Sequence, residues 1–350
     1  MIADRPARLL AFLRDHLGGQ RVAFGQAPRR LSGGAITEVL SFTLTGTSDA
    51  WAGPLVLRLY PVTDDRDQPR LEQAIQNGAA EAGFPAPQVL LAHCEPDVLG
   101  QMFVVMQRMP GRAFLRGIRW DQFTRDFPRV IVAWPALLAR LQKRLHELDP
   151  SSVLEATAIL KLPPSSVSTR RHVDFVERRM EEFGGDGARE ALEWVRANEP
   201  PQPPSPSVVH GDLWPANVLL KRGNLTGVVD WNVAAVGDPA LDVGFAKAGL
   251  ALIPAPFPPP PPIRQGLTAA GGSVARRFHE QYNNLRPIAA ERVQYFEALR
   301  CLFQLATVVR FRAEVALGMT PSHPRPPWDR GVPALTKYFT AVSGVPIQVP

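Results

Sequence analysis

Hydrophobic residues near the N-terminus recur at helical spacing, and the pattern then changes to short apolar runs typical of strands. Leucines between positions 9 and 17 fall on one helical face and Gly18 follows them, which predicts an amphipathic helix ending there. The run RLEQAIQNGAAEAG at 70–83 predicts a second helix. The predicted strands are VLSFTLTG at 39–46, PLVLRLY at 54–60 and MFVVMQ at 102–107. The first hundred or so residues are therefore expected to form a small sheet that carries one helix.

Beyond Pro110-Gly111 the apolar spacing becomes mainly helical. Helices are predicted within 134–148, 170–183, 188–199 and 276–316. Before the last of these, residues 207–231 predict a strand, a loop, a strand, a turn at Gly223-Asn224 and a further strand. The Pro-rich run IPAPFPPPPPIRQG at 253–266 is expected to be extended polyproline II and not helix, as an inserted loop or, alternatively, an SH3-type ligand. Residues 110–350 are expected to form a second, larger and mainly helical unit.

Composition and charge limit the classes of protein to which the chain can belong. The chain has 350 residues, of which 45% are hydrophobic, and a net charge of +6. A basic balance is compatible with a nucleic-acid partner, but no long Lys/Arg run or nucleic-acid motif accompanies it, so none is expected. Cys94 and Cys301 are too few for a disulfide framework or a zinc site. The start lacks a signal-peptide core and no long apolar stretch follows, so we expect a cytoplasmic protein without a membrane span.

The segment from 208 to 242 carries the most specific chemistry. Asp212 follows His210-Gly211, Asn217 comes five positions later, and Asp230 ends the apolar run VVD. Phosphoryl transfer needs a carboxylate to orient the acceptor hydroxyl and oxygen ligands to hold Mg²⁺ on the phosphates. Taken singly, these residues could be turn residues and a strand cap. Taken together on one strand-loop-strand segment, they predict a kinase-type site.

HGDLWPANVLL followed by GVVDWNVAAVGDPALDVG resembles the aminoglycoside phosphotransferase family, which includes choline kinase-like and fructosamine kinase-like enzymes. The resemblance is strongest over 208–245 and extends over about 28–320. It implies an α+β, two-lobed protein-kinase-like fold, with a small antiparallel sheet in an N-lobe of residues 1–109 and a mainly helical C-lobe of residues 110–350. It also implies that Asp212 is the catalytic base and that Asn217 and Asp230 are Mg²⁺ ligands.

The same resemblance implies supporting roles elsewhere. His210 matches a structural histidine of the loop, and Asp238 and Asp242 match an acidic motif that braces it. His146, on a predicted helix, matches a buried structural position. Trp231 and Trp214 flank the loops, where stacking on a substrate competes with ordinary core packing.

Upstream of the catalytic segment, the resemblance implies a nucleotide-binding half. Gly33 and Gly34 match the nucleotide-covering loop, although a plain turn is the alternative. Arg58 stands where most kinases have lysine, and its phosphate-binding role competes with that of a surface residue on an edge strand. Glu72 either pairs with that basic residue or is a solvated helix residue. Gln107 to Met109 match the hinge that binds adenine through main-chain groups.

The sequence thus predicts a Mg²⁺-dependent transfer of the γ-phosphoryl group of ATP or GTP to a hydroxyl of a small molecule. The alternative is a nucleotide-binding pseudokinase that senses or scaffolds. Basic residues outnumber acidic ones between 276 and 337, and position 232 is Asn where many relatives have an acid. A field of this sign disfavours polycationic aminoglycosides and favours a neutral or anionic acceptor. The sequence does not determine the oligomeric state.

Overall fold

The computed structural model describes residues 4–31, 38–61, 65–113, 120–253, 255, 261–319, 321 and 325–350, with the backbone alone at 120–131, 261–267 and 269. Gly33 and Gly34 therefore lie outside the described residues, and their predicted role in a nucleotide-covering loop stays a prediction.

The strands form one five-stranded sheet and two smaller ones. In chain order they are β1 Ala23–Arg30, β2 Glu38–Thr45, β3 Pro54–Leu59, β4 Val89–His93, β5 Phe103–Gln107, β6 Arg112–Ala113, β7 Ser207–Val209, β8 Val218–Lys221, β9 Asn224–Val228 and β10 Ala235–Gly237. The large sheet has the order β1-β2-β3-β5-β4 and is antiparallel throughout. This confirms the predicted antiparallel sheet in the first part of the chain.

Sequence reasoning missed two strands of this sheet, β1 and β4. β1 contains Gly25 and Pro28, two residues that weaken a strand pattern, and its side chains are mostly exposed. Proline is tolerated there because β1 is an edge strand, with β2 as its single neighbour in the sheet. β4 is short, and its five residues lack an alternating apolar pattern.

β3 lies at the centre of the sheet and places its side chains alternately on the two faces. Leu55, Leu57 and Leu59 pack in the cluster that also contains Leu9 and Leu13 of the N-terminal helix. The residues between them, including Arg58, therefore point to the opposite face. Arg58 pairs in register with Val39 on one side and Val104 on the other, so it does not lie on an edge strand.

The helices account for most of the remainder. They are α1 Arg5–His16, α2 Gln68–Glu81, α3 Trp120–His146, α4 Ser151–Ile159, α5 Pro164–Val167, α6 Arg170–Phe183, α7 Arg189–Asn198, α8 Ala240–Ala251, α9 Pro261–Leu285, α10 Ala290–Ala316 and α11 Val332–Ser343. Apart from α1, which packs in the cluster with the five-stranded sheet, their apolar faces surround one large core. No helix in the described residues is both long enough and apolar enough to cross a membrane.

The prediction for the Pro-rich run was wrong at its C-terminal end. Helix α9 begins at Pro261, so the last six residues of the run are helical. Proline lacks an N–H and fixes φ near the helical value, and both properties are compatible with the first turn of a helix. The helical pattern predicted over 276–316 is also two helices, α9 and α10, which end and begin on either side of Pro287.

Candidate active site

The loop after β7 turns sharply at Gly211 and presents Asp212. Gly211 has φ of 75°, and a Cβ added there would lie 2.5 Å from the carbonyl oxygen of Val233 and 2.9 Å from Nε2 of His172. Only glycine fits both this conformation and this space. The glycine of the His-Gly-Asp motif therefore sets the direction in which the chain reaches Asp212.

Asp212 has two side-chain partners that come from different parts of the chain. Its Oδ2 accepts a hydrogen bond of 2.9 Å from Nδ2 of Asn217, and its Oδ1 lies 2.7 Å from Nη2 of Arg300 on α10. Burial raises the pKa of Asp212, Arg300 opposes this, and the charge of Asp230 adds to it, so that the pKa lies above its usual value. The carboxylate is held in one orientation and still has lone pairs free for a hydroxyl.

Asn217 and Asp230 are brought together by the β8–β9 hairpin. The N–H of Val229 donates to the carbonyl oxygen of Asn217 at 3.0 Å, which places Asn217 beside the residue that precedes Asp230. The Nδ2 group of Asn217 is used by Asp212, and its Oδ1 remains as an acceptor. Asp230 has φ of 75°, a left-handed conformation that costs about 1 kcal/mol in a residue with a side chain. One amide oxygen and one carboxylate thus converge near Asp212.

Arg58 connects the five-stranded sheet to this loop. Its Nη1 lies 2.9 Å from Oε1 of Glu72, and its Nη2 contacts Oδ1 of Asp230. The hydroxyl of Tyr60 also donates to Glu72. Arg58 and Glu72 are only 5% and 1% exposed. Burial by itself would lower the pKa of Arg58, but Glu72 and Asp230 outweigh it and keep the guanidinium charged. Glu72 is therefore a paired residue and not a solvated one.

The backbone of the loop that leads to Asp212 is held by Asp242 at the start of α8. The N–H groups of His210 and Gly211 donate to its two oxygens at 2.8 and 2.6 Å. His146 lies 3.0 Å from the same carboxylate and 2.7 Å from the hydroxyl of Tyr282. Burial raises the pKa of Asp242, but the contacts with His146 and His210 outweigh it and the pKa is lowered. Asp242 thus braces the loop as expected from the sequence, and His146 is buried, as expected of a structural position.

Asp238 has a local role near the same helix. Its Oδ1 accepts from the N–H of Ala240 at 2.9 Å, and its Oδ2 lies 3.3 Å from Nε of Arg292. Trp231 is fully buried and packs edge-on against Phe84, so it belongs to the core and is not a stacking platform for a substrate.

The predicted hinge lies where the chain leaves β5. The N–H of Gln107 donates to the carbonyl oxygen of Gln88 at 2.9 Å, so this group is already used within the sheet. Met109 lies against Gly227 of β9, where an added Cβ would come within 2.9 Å of the Cβ of Met109. Gly111 similarly approaches Leu220 of β8. Residues 107–111 therefore run directly beside the β8–β9 hairpin, and their role as a hinge stays a prediction.

Sequence reasoning missed the contact of Arg300 with Asp212. It also missed a hydrogen-bonded link between Gln68, Arg171 and the residues that follow Asp230. Arg300 was counted only as part of the basic helical region. In that link, Nε2 of Gln68 donates to the carbonyl oxygen of Asn232 at 2.6 Å, and Arg171 bonds both Gln68 and the carbonyl oxygen of Ala234. No local motif signals these residues, because each acts on residues that are distant in sequence.

The chain is similar to several known proteins. Acyl-CoA dehydrogenase family member 11 of Gallus gallus is 25% identical over 199 residues, covering 55% of this chain and 24% of that protein. Aminoglycoside 3′-phosphotransferase of Streptomyces fradiae is 26% identical over 224 residues, covering 62% of this chain and 73% of that protein. A solved structure of a thermostable mutant of aminoglycoside phosphotransferase APH(4)-Ia, in a ternary complex with AMP-PNP and hygromycin B, gives a TM-score of 0.58 at 18% identity and covers 96% of this chain and 98% of that chain.

The likeness to the solved structure shows the fold, and it agrees with the expected two-lobed, protein-kinase-like α+β architecture. The chain spans about a quarter of the length of the Gallus gallus relative. The match to the phosphotransferase enzyme family (APH) extends over residues 28–287, well over half of the chain, and includes Arg58, Glu72 and the whole catalytic segment. This chain therefore belongs to the phosphotransferase enzyme family.

Proposed function

We propose that this chain transfers the γ-phosphoryl group of ATP to a hydroxyl group of a small molecule, in a Mg²⁺-dependent reaction with Asp212 as the base. The observation that carries the proposal is the convergence of four side chains. Asn217 bonds Asp212 directly, Asn217 lies beside the residue before Asp230, and Arg58 reaches Asp230 from the sheet. Phosphoryl transfer requires this set: a base, oxygen ligands for a metal and a cation for phosphate.

Asp212 would orient the acceptor hydroxyl and take its proton as the oxygen attacks the γ-phosphorus. The new bond joins the acceptor oxygen to phosphorus, and the bond from phosphorus to the bridging oxygen breaks, so that ADP leaves. The raised pKa of Asp212 makes it a stronger base than an exposed aspartate. Its hydrogen bond from Asn217 fixes the oxygen that faces away from Arg300.

The chemistry of the donor set supports Mg²⁺. Within the described ranges, no group of three or more His, Cys, Asp or Glu side chains could hold a metal ion, so the proposed site has fewer such ligands. One amide oxygen from Asn217 and one carboxylate from Asp230 suit Mg²⁺, which prefers hard oxygen ligands and keeps waters and phosphate oxygens as the others. When bound, Mg²⁺ would neutralise charge on the phosphates.

Arg58 would bind the phosphates with the role that lysine has in most kinases. A guanidinium can donate to phosphate in a bidentate manner, and Glu72 would hold it in place. For the nucleotide we propose ATP, because the structures of APH(4)-Ia were obtained with ADP and with AMP-PNP. GTP remains the alternative nucleotide. The proposed division into an N-lobe of residues 1–109 and a C-lobe of residues 110–350 places the nucleotide between the sheet and the β8–β9 hairpin, beside Gln107 and Met109.

The alternative function is a pseudokinase that binds nucleotide without turnover. Arg58 in place of the usual lysine, and its contact with Asp230, are the observations that favour it. The test is transfer of label from ATP labelled at the γ-phosphorus to a panel of hydroxylated metabolites, with Mg²⁺ or with EDTA. We expect a labelled organic product that requires both Mg²⁺ and Asp212. Binding of Mg·ATP with no labelled product from any acceptor would favour the pseudokinase.

A further inference from the structure

The contact between Arg300 and Asp212 has no counterpart in the chemistry of phosphoryl transfer itself. Arg300 lies on α10, far in sequence from the catalytic loop, and its Nη2 is 2.7 Å from the oxygen of Asp212 that Asn217 does not use. We propose that Arg300 is part of the acceptor site and selects an acceptor that carries an anionic oxygen group, a carboxylate or a phosphate, close to its reacting hydroxyl. This inference rests on the proposed function and names its substrate class.

The hydrogen-bonding capacity of Arg300 is only partly used. A guanidinium has five N–H donors, and Arg300 is 6% exposed. Its one carboxylate partner is Asp212, which its Nη2 contacts, and its Nε is buried without a hydrogen-bond partner among the residues described, so the donors within reach of a ligand are those of the two Nη groups. The guanidinium also lies 5.1 Å from the centre of the Phe245 ring, a favourable but non-directional contact. A buried cation with unused donors is costly unless a further acceptor reaches it.

Another buried arginine on the same helix, Arg310, pairs with a different kind of carboxylate. Arg310 is 8% exposed and donates through Nε to Glu314, a residue of its own helix, at 2.9 Å. Its carboxylate partner has no part in the proposed reaction. The carboxylate partner of Arg300 does take part in that reaction, because Asp212 must also accept a hydrogen bond from the acceptor hydroxyl.

The position of Arg300 determines what kind of molecule can accept hydrogen bonds from its remaining N–H groups. The acceptor hydroxyl has to lie within hydrogen-bonding distance of Asp212. Arg300 is itself in hydrogen-bonding contact with that carboxylate, so a group bound by its other N–H donors lies on the acceptor, a few bonds from the hydroxyl. An ammonium group at that place would be repelled, whereas a carboxylate or phosphate would form charge-assisted hydrogen bonds. The acceptor is therefore an acid that also carries a hydroxyl.

The test compares acceptors that differ only in charge. Hydroxycarboxylates are assayed beside their primary amides, phosphorylated alcohols form a second anionic series, and hydroxylated amines form the cationic one, with ADP release measured for each. We expect the best acceptor to be anionic and to exceed its neutral analogue by about 100-fold in kcat/KM, the value of one to two charged hydrogen bonds. The better of the two anionic series distinguishes carboxylate from phosphate.

Variants separate substrate selection from a structural role of Arg300. In Arg300→Gln, KM for the anionic acceptor should rise, and the preference over the amide should fall below about threefold, with partial recovery in Arg300→Lys. Arg310→Gln is the matched control and should keep the wild-type preference. A purely structural Arg300 would lower kcat for charged and neutral acceptors alike and leave the preference unchanged, which would contradict the inference.

Other outcomes also overturn it. Turnover that is fastest with a neutral or cationic acceptor contradicts the anionic class, and so does wild-type protein that binds Mg·ATP but uses no member of the anionic series. The proposed function fails separately: a chain that shows no Mg²⁺-dependent thermal stabilisation by ATP is not a kinase, whatever the acceptor.

Discussion

Two buried arginines each contact one of the two aspartates at the candidate site, and they are held in different ways. Arg58 comes from the central strand of the sheet and has two carboxylate partners, Glu72 and Asp230. Arg300 comes from α10 and has one carboxylate partner in the described residues, Asp212. The Nε of each arginine lacks a hydrogen-bond partner among those residues, so the two differ in their carboxylates and not at Nε. We infer that Arg58, with a carboxylate on each of its Nη groups, is held more firmly by the protein than Arg300 is. The acceptor side leaves donors for a ligand.

The largest expected effect is on the acceptor side. Asp212→Asn removes the base but keeps the shape of the side chain, so kcat should fall by about 10³-fold while nucleotide binding stays within about threefold of wild type. The measurement is kcat by coupled ADP release together with calorimetric titration of Mg·AMP-PNP. Turnover within tenfold of wild type would mean that another group takes the proton.

The nucleotide side should respond to the loss of Arg58 with a change in nucleotide KM. In Arg58→Met the phosphate-binding cation is lost and Glu72 is left buried without it, so KM for ATP should rise and kcat should fall, by about 100-fold together. Arg58→Lys keeps the charge but loses the planar fork, and it should retain part of the activity.

Steady-state kinetics with ATP as the varied substrate check this prediction. Arg66→Met, at an exposed arginine of the same part of the chain, is the control and should behave as wild type. Wild-type kinetics in Arg58→Met would show that another cation serves the phosphates.

Much of the site could be predicted because its residues lie close in sequence. Asp212, Asn217 and Asp230 fall within one short strand-loop-hairpin segment, and local geometry brings them together. Glu72 and Arg58 are on neighbouring elements, although sequence alone could not decide whether Glu72 is paired or solvated. Burial in the folded protein settles that question, because a buried carboxylate needs a partner.

The parts that sequence reasoning missed depend on tertiary packing. Arg300 reaches Asp212 only because α10 packs beside α8, and its helical position looks like that of any other arginine. The start of α9 at Pro261 was missed because a proline run suggests an extended chain, whereas the first turn of a helix tolerates proline. Residues 33 and 34 lie outside the described residues, so the nucleotide-covering loop stays a prediction.

The smallest expected effect concerns the support behind Gly211. His172 lies against this glycine, and burial lowers its pKa to about 3 from an ordinary value near 6.5. Below pH 6.5 His172 therefore binds a proton in the unfolded chain but not in the folded protein. The contribution of the neutral, buried His172 to stability is complete above pH 6.5 and is lost as the pH falls towards 3. His172→Gln should reduce the loss in the free energy of unfolding between pH 6.5 and pH 5 by about 1.5 kcal/mol.

Urea unfolding of both proteins at the two pH values checks this prediction. Burial also lowers the pKa of His210, so part of the pH dependence should persist in the variant. An unchanged pH dependence in His172→Gln would show that His172 is protonated equally in the folded and unfolded states.

The central claim is that Asn217 and Asp230 hold Mg²⁺ on a nucleotide beside Asp212, and binding tests it without knowledge of the acceptor. The measurement is calorimetric titration of AMP-PNP, with and without Mg²⁺, into wild-type protein, Asp230→Ala and the control Asp186→Ala, whose carboxylate is exposed and distant in sequence from the site. We predict Mg²⁺-dependent binding that the control retains and that Asp230→Ala weakens by at least about 100-fold. Equal affinity of wild type and Asp230→Ala for Mg·AMP-PNP would contradict the account.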